Sequence, residues 1–209
     1  GGLVFIVILC FIIAIYFKQK YLLSYALYVF SYGAFLSIYE GLFENVFFSE
    51  NRFLSQMLVI GFIFLSYVFN FMFLTSFLKT KEKFPKLFVV SRVMILILSV
   101  LVVFNCVPSI NEILQDAVMP IVMPAMIFVF VLVIISFKKK IELSNMVLYS
   151  YVWLIVFGMF SLFVDYNLID LSIDGKILMK FGLFGELVML TMAVIINLFG
   201  MNDLLKDQL

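Results

Sequence analysis

Apolar residues run along this chain in seven blocks of about 17 to 25 residues, separated by short polar segments. None shows the every-second-residue alternation of a membrane β-strand. A helix rises 1.5 Å per residue, so blocks of this length cross about 30 Å of hydrocarbon. The pattern therefore predicts helical spans over about residues 2–17, 21–39, 53–78, 87–107, 117–137, 143–164 and 177–199. The expected fold class is all-α, a polytopic membrane protein built as a seven-transmembrane helix bundle. The longest connection, Glu40 to Arg52, leaves no room for a soluble domain. Residues 1–199 thus form one transmembrane domain, and 200–209 start a cytoplasmic helical linker. In the last segment Leu198, Asn202, Leu205 and Leu209 follow a 4, 3, 4 spacing that suits either a nascent coiled coil or an amphipathic end on the inner leaflet.

Charge adds direction to the spans. Ten of the fourteen basic residues fall in Lys18/Lys20, Lys79/Lys81/Lys83/Lys86, Lys138/Lys139/Lys140 and Lys206, each group two apolar blocks from the next. Cytoplasmic loops collect Lys and Arg, which puts the N-terminus outside, the C-terminus in the cytoplasm and the protein in the cytoplasmic (inner) membrane. Acids such as Glu44, Glu112, Asp116, Asp170 and Asp174 crowd the opposite loops. Hydrophobic side chains make up 66% of the chain and charged ones 13%, against about a quarter in soluble proteins. The bilayer is the expected partner, and no nucleic-acid footprint is visible. Gly1-Gly2 opens directly into an apolar run, as in a piece cut from a longer chain. Cys10 and Cys106 differ in depth, so no disulfide is expected.

The absence of histidine removes His-dependent triads, haem ligation and most metal-hydrolase sites, and no glycine-rich phosphate loop occurs. No enzyme activity, catalytic residue, metal or cofactor is expected. A retinal pump needs a lysine deep in the last span, where this chain has Glu186. A carboxylate there costs several kcal/mol unless protonated, paired or wet, and Gly182 and Gly185 beside it let a neighbouring helix approach. Glu186 is therefore expected to face the interior as a neutral acid bonded to an Asn or Tyr oxygen. Ser31, Tyr32, Tyr67, Asn70, Ser150 and Tyr151 fall at similar depth and define a candidate mid-membrane polar switch with Glu186. Static glue, a switch and proton or ion transfer are the three roles such a layer can play.

Other features refine the picture. Pro120 and Pro124 predict a helix kink in the fifth span, either to widen an outward cavity or to improve packing. INEILQDA, from Ile110 to Ala117, suggests that this helix starts outside the bilayer or lies on its surface. Tyr21, Tyr25, Tyr28 and Tyr32 form a stripe expected to pack on a neighbour. Trp153, in mid-span, is expected to be buried with its indole bonded, while Lys176 and Lys180 are expected to snorkel.

YLLSYALYVFSYGAFLSIYEGLF (21–43), Phe77-Leu78 followed by a basic loop and Pro85, and GLFGELVMLTMAVIINL in the last span resemble the bacterial seven-transmembrane receptors with diverse intracellular signalling modules. The likeness covers essentially the whole chain and puts Glu186 at that family's glutamate position. It departs in lacking an Asn in span one and a basic residue at the immediate inner end of span seven. The resemblance implies an extracytoplasmic sensor domain, often a carbohydrate-binding β domain, and a cytoplasmic kinase, cyclase or phosphatase module in the same chain, with homodimerisation expected. The function so implied is relay of extracytoplasmic ligand binding to the output module. The alternative is a small-solute or ion transporter using Glu186, for which an odd span count and no internal repeat offer little support.

Overall fold

The computed structural model describes residues 8, 11, 12, 15, 19–39, 52–165, 169 and 175–206. Among these the chain is helical throughout, with α1 (Lys20–Tyr39), α2 (Arg52–Phe77), α3 (Thr80–Lys83), α4 (Pro85–Phe104), α5 (Pro108–Lys138), α6 (Ser144–Asp165) and α7 (Gly175–Lys206). All but the four-residue α3 are long and apolar enough to cross a membrane, six candidate spans among the described residues. Ile8, Phe11, Ile12 and Ile15 are helical. The rest of the expected first span, the 40–51 connection, Cys10, Asp170, Asp174 and Leu209 lie outside the described residues.

The chain divides into two compact units, Gly1–Val129 and Phe130–Leu209, with the boundary inside α5. In the first, α2 packs on both α1 and α4. The α1–α2 seam is an aromatic ladder, because the tyrosine stripe of α1 meets phenylalanines one turn apart on α2. Tyr21 lies edge-on to Phe77 at 5.7 Å, Tyr25 tilts against Phe73 at 5.1 Å, and Phe30 meets Phe62 edge-on at 6.2 Å. Aromatic pairs at such spacings contribute about 0.5–1.5 kcal/mol each beyond the area they bury. The descending partners on α2 make the two helices antiparallel. At the α2–α3 corner Lys79 adopts a left-handed conformation (φ 49°), and the Thr80 hydroxyl donates to the Thr75 carbonyl at 3.0 Å. Pro85 opens α4, where its missing N–H leaves no helical bond unmade.

α5 starts at Pro108, about nine residues before the expected span, and includes INEILQDA as regular helix. It continues through Pro120 and Pro124, both exposed. Cys106, just before it, is exposed and free. In the second unit, α6 packs on α7. α7 has 32 residues, about 48 Å of helix, and passes without a break through Gly200, where the linker was expected to begin. Three hydroxyls are satisfied within their own helices: those of the buried Ser91 and Ser150 donate to the Leu87 and Val147 carbonyls, and that of the half-buried Thr191 to the Leu187 carbonyl.

Candidate functional site

The second unit holds the most costly polar residue of the apolar spans. Glu186 is fully buried (0% exposed) on α7, nine residues into the apolar stretch Ile177–Gly200 and thus about 14 Å along its axis. Close helix approach explains how α7 covers it. A Cβ added at Gly182 would come 2.7 Å from Phe157 Cβ, and one at Gly185 would meet the Trp153 indole nitrogen, with Cδ1 at 2.5 Å and Cε2 at 2.7 Å. Gly158 faces Met179 Sδ at 3.8 Å from its own Cβ position. These contacts run in opposite directions along the two helices, so α6 and α7 are antiparallel, and the same register puts Glu186 level with Tyr151 and Val152. Tyr151 and Ser150 are buried on that stretch of α6, and Glu186 and Tyr151 are both engaged by other groups. Leu183, Leu187 and Leu190 are buried around the acid on α7.

Trp153 departs from expectation in one respect. It is 38% exposed rather than buried, but its indole N–H does find a partner, donating to the Phe181 carbonyl at 3.3 Å. The ring lies across the surface left bare by Gly185 and stacks obliquely on Phe157, centroids 4.7 Å apart. A mid-span position in a membrane does not dictate burial in protein, because lipid tails are as apolar as leucine. Lys180 is exposed at the start of α7.

The remaining members of the expected polar layer belong to the first unit. Asn70 and Ser31 are buried on α2 and α1, while Tyr67 and Tyr32 are half-buried there. Tyr32 packs against Tyr28 at 6.0 Å and Phe35 at 5.8 Å. Ser150 spends its donor on its own helix, so it need not bind another.

The first unit also contains a polar cluster that the spacing of residues did not disclose. Asn105, which caps α4, donates through Nδ2 to the Met57 carbonyl at 2.6 Å and accepts at Oδ1 from Asn111 Nδ2 at 2.7 Å. Gln115 Nε2 donates to Asn111 Oδ1 at 2.8 Å and to Gln56 Oε1 at 2.9 Å. Asn105 is 1% and Asn111 0% exposed. Side-chain amides thus tie the start of α2 to the α4–α5 turn, at the end of the unit away from its lysines. The available signal was that Asn111 and Gln115 are four apart and flank the buried Leu114.

A buried acid thus sits in a glycine-lined seam, on a helix long enough to emerge from the bilayer. Six apolar helices of membrane length among the described residues make the protein multi-pass, with a lipid bilayer around it. No curated protein and no solved structure matches the chain. The family model described as 7TM diverse intracellular signalling matches residues 1–197. With nearly every span inside that match, as the resemblance in the sequence implied, the chain belongs to the 7TM diverse intracellular signalling family, a family of transmembrane signalling domains.

Proposed function

We propose that this bundle is the relay of a bacterial receptor in the cytoplasmic membrane, carrying an extracytoplasmic binding event to a cytoplasmic kinase, cyclase or phosphatase module in the same chain. The observation that carries this reading is α7, which runs unbroken from the glycine-lined seam around Glu186 to Lys206. A continuous helix of about 48 Å exceeds the roughly 30 Å of hydrocarbon and transmits a shift or rotation at Glu186 to whatever follows. The lysine clusters orient that end to the cytoplasm and the N-terminus outside. Glu186 and Tyr151, buried at the same level of the α6–α7 seam, form the polar pair that biases α7 between two packings. Pro120 and Pro124 interrupt the backbone ladder of α5 and give that helix a bending point.

Glu186→Gln preserves shape and burial while removing the ionisable proton. In the full-length receptor reconstituted in bilayers it should retain the fold and change basal output. An unaltered dose response removes Glu186 from the switch. Solute flux through the purified protein in liposomes would instead favour transport through the same acid.

A further inference from the structure

The described lysines of the first unit are gathered at one end. Lys79, Lys81, Lys83 and Lys86 occupy the corner from α2 through α3 into α4, all exposed, and Glu82 is the acid among them. Lys20, also exposed, opens α1 at the same end, as the Tyr21–Phe77 contact requires.

Arg92 stands apart from this cluster. It lies seven residues beyond Pro85, about 10 Å into an apolar helix. Ser91 and Leu98 are the buried residues of α4, whereas Arg92 is exposed in company with Val89, Val93 and Leu96. A guanidinium cation in hydrocarbon needs a counter-ion or an escape to the interface. Its position indicates both. The guanidinium carbon lies 5.6 Å from the centroid of Phe88, one turn back toward the lysine corner. This follows the tilt of helical side chains toward the N-terminus, and α4 has its N-terminus at that corner. Among the described residues no carboxylate forms an ion pair with Arg92. An anion at headgroup depth that also carries apolar chains to lie along Val89, Val93 and Leu96 satisfies both requirements. A phosphodiester matches the guanidinium fork, and acyl chains match the apolar stripe.

We propose that the α3–α4 corner binds the headgroup of an anionic phospholipid, with Arg92 as its deepest phosphate ligand and Lys83 and Lys86 at the rim. Native mass spectrometry of the purified full chain in detergent tests this, titrating phosphatidylglycerol against phosphatidylcholine of identical acyl chains. Phosphatidylglycerol should be retained preferentially, and millimolar inorganic phosphate should not displace it. Arg92→Gln should cut the preference roughly fivefold, the effect of one cation near an anionic headgroup. Should that variant aggregate, the Lys83→Gln/Lys86→Gln double variant carries the same readout, and a preference reduced at least about fivefold supports the site. Equal retention of the two lipids, displacement by inorganic phosphate, or an unchanged preference in a folded variant overturns it.

Discussion

The two glycines beside Glu186 should respond differently to the same added methyl. At Gly185 the new Cβ meets the Trp153 indole, the far end of a side chain that is already partly exposed and can rotate outward. Rotation forfeits the bond to the Phe181 carbonyl, about 0.5–1.5 kcal/mol, and the contact with Phe157, a similar amount. Greater helix propensity returns about 1 kcal/mol, so Gly185→Ala should cost about 0–2 kcal/mol net. At Gly182 the methyl meets Phe157 Cβ at 2.7 Å, against about 3.5–4.0 Å for an unstrained carbon contact. That atom is fixed to the backbone, so α6 and α7 must separate, and the overpacking cost should reach the upper end of the roughly 1–3 kcal/mol range, which the same propensity gain lowers to about 2 kcal/mol net. Unfolding of the purified protein in mixed micelles, titrated with a denaturing detergent, measures both. Trp153→Ala should abolish most of the Gly185→Ala penalty in a double-mutant cycle. Phe157→Ala should not rescue Gly182→Ala, because alanine keeps the offending Cβ. Equal penalties, or rescue in the second pair but not the first, would refute this packing of the seam.

Other consequences can be measured separately. Asn111→Ala removes the donor to Asn105 Oδ1 and the acceptor of Gln115 inside a buried cluster, and should cost about 1–3 kcal/mol in the same unfolding assay; a loss below about 0.5 kcal/mol would mean that the amide chain does not hold α2 to the α4–α5 turn. A Cβ at Gly200 would meet open space, so Gly200→Ala should fit and favour the helix by up to about 1 kcal/mol, seen as slower amide exchange in the last turns of α7. Gly200→Pro should leave the upstream bundle intact yet uncouple output from ligand in a full-length receptor; retained coupling would argue against transmission through a continuous α7.

Span positions were legible because hydrocarbon thickness imposes a length on every apolar run, and α1, α2, α4 and α6 begin and end within about three residues of expectation. The early start of α5 was legible in INEILQDA, whose helical spacing carries the helix back past the apolar block, whereas the amide cluster was not, since Asn111 and Gln115 meet Asn105 and Gln56 only in the fold. Those partners come from distant sequence: Asn105 bonds a carbonyl 48 residues away. Burial of Glu186 was foreshadowed by Gly182 and Gly185, whose lack of side chains has meaning only if another helix comes close. Hydropathy could not say which side of α6 faces protein, and so Trp153 was misjudged. The Arg92–Phe88 pair had no signal beyond its four-residue spacing.

A native thiol provides the most direct test of orientation, on which a relay from outside to inside depends. Cys106 is exposed at the end of α4 remote from the lysine corner. With Cys10 replaced by Ser, a membrane-impermeant maleimide should label Cys106 in intact cells, whereas Lys83→Cys in a Cys106→Ser background should react only after lysis. The opposite pattern, with residue 83 labelled from outside and Cys106 protected, would put the C-terminal end of α7 on the wrong side of the membrane for any cytoplasmic output.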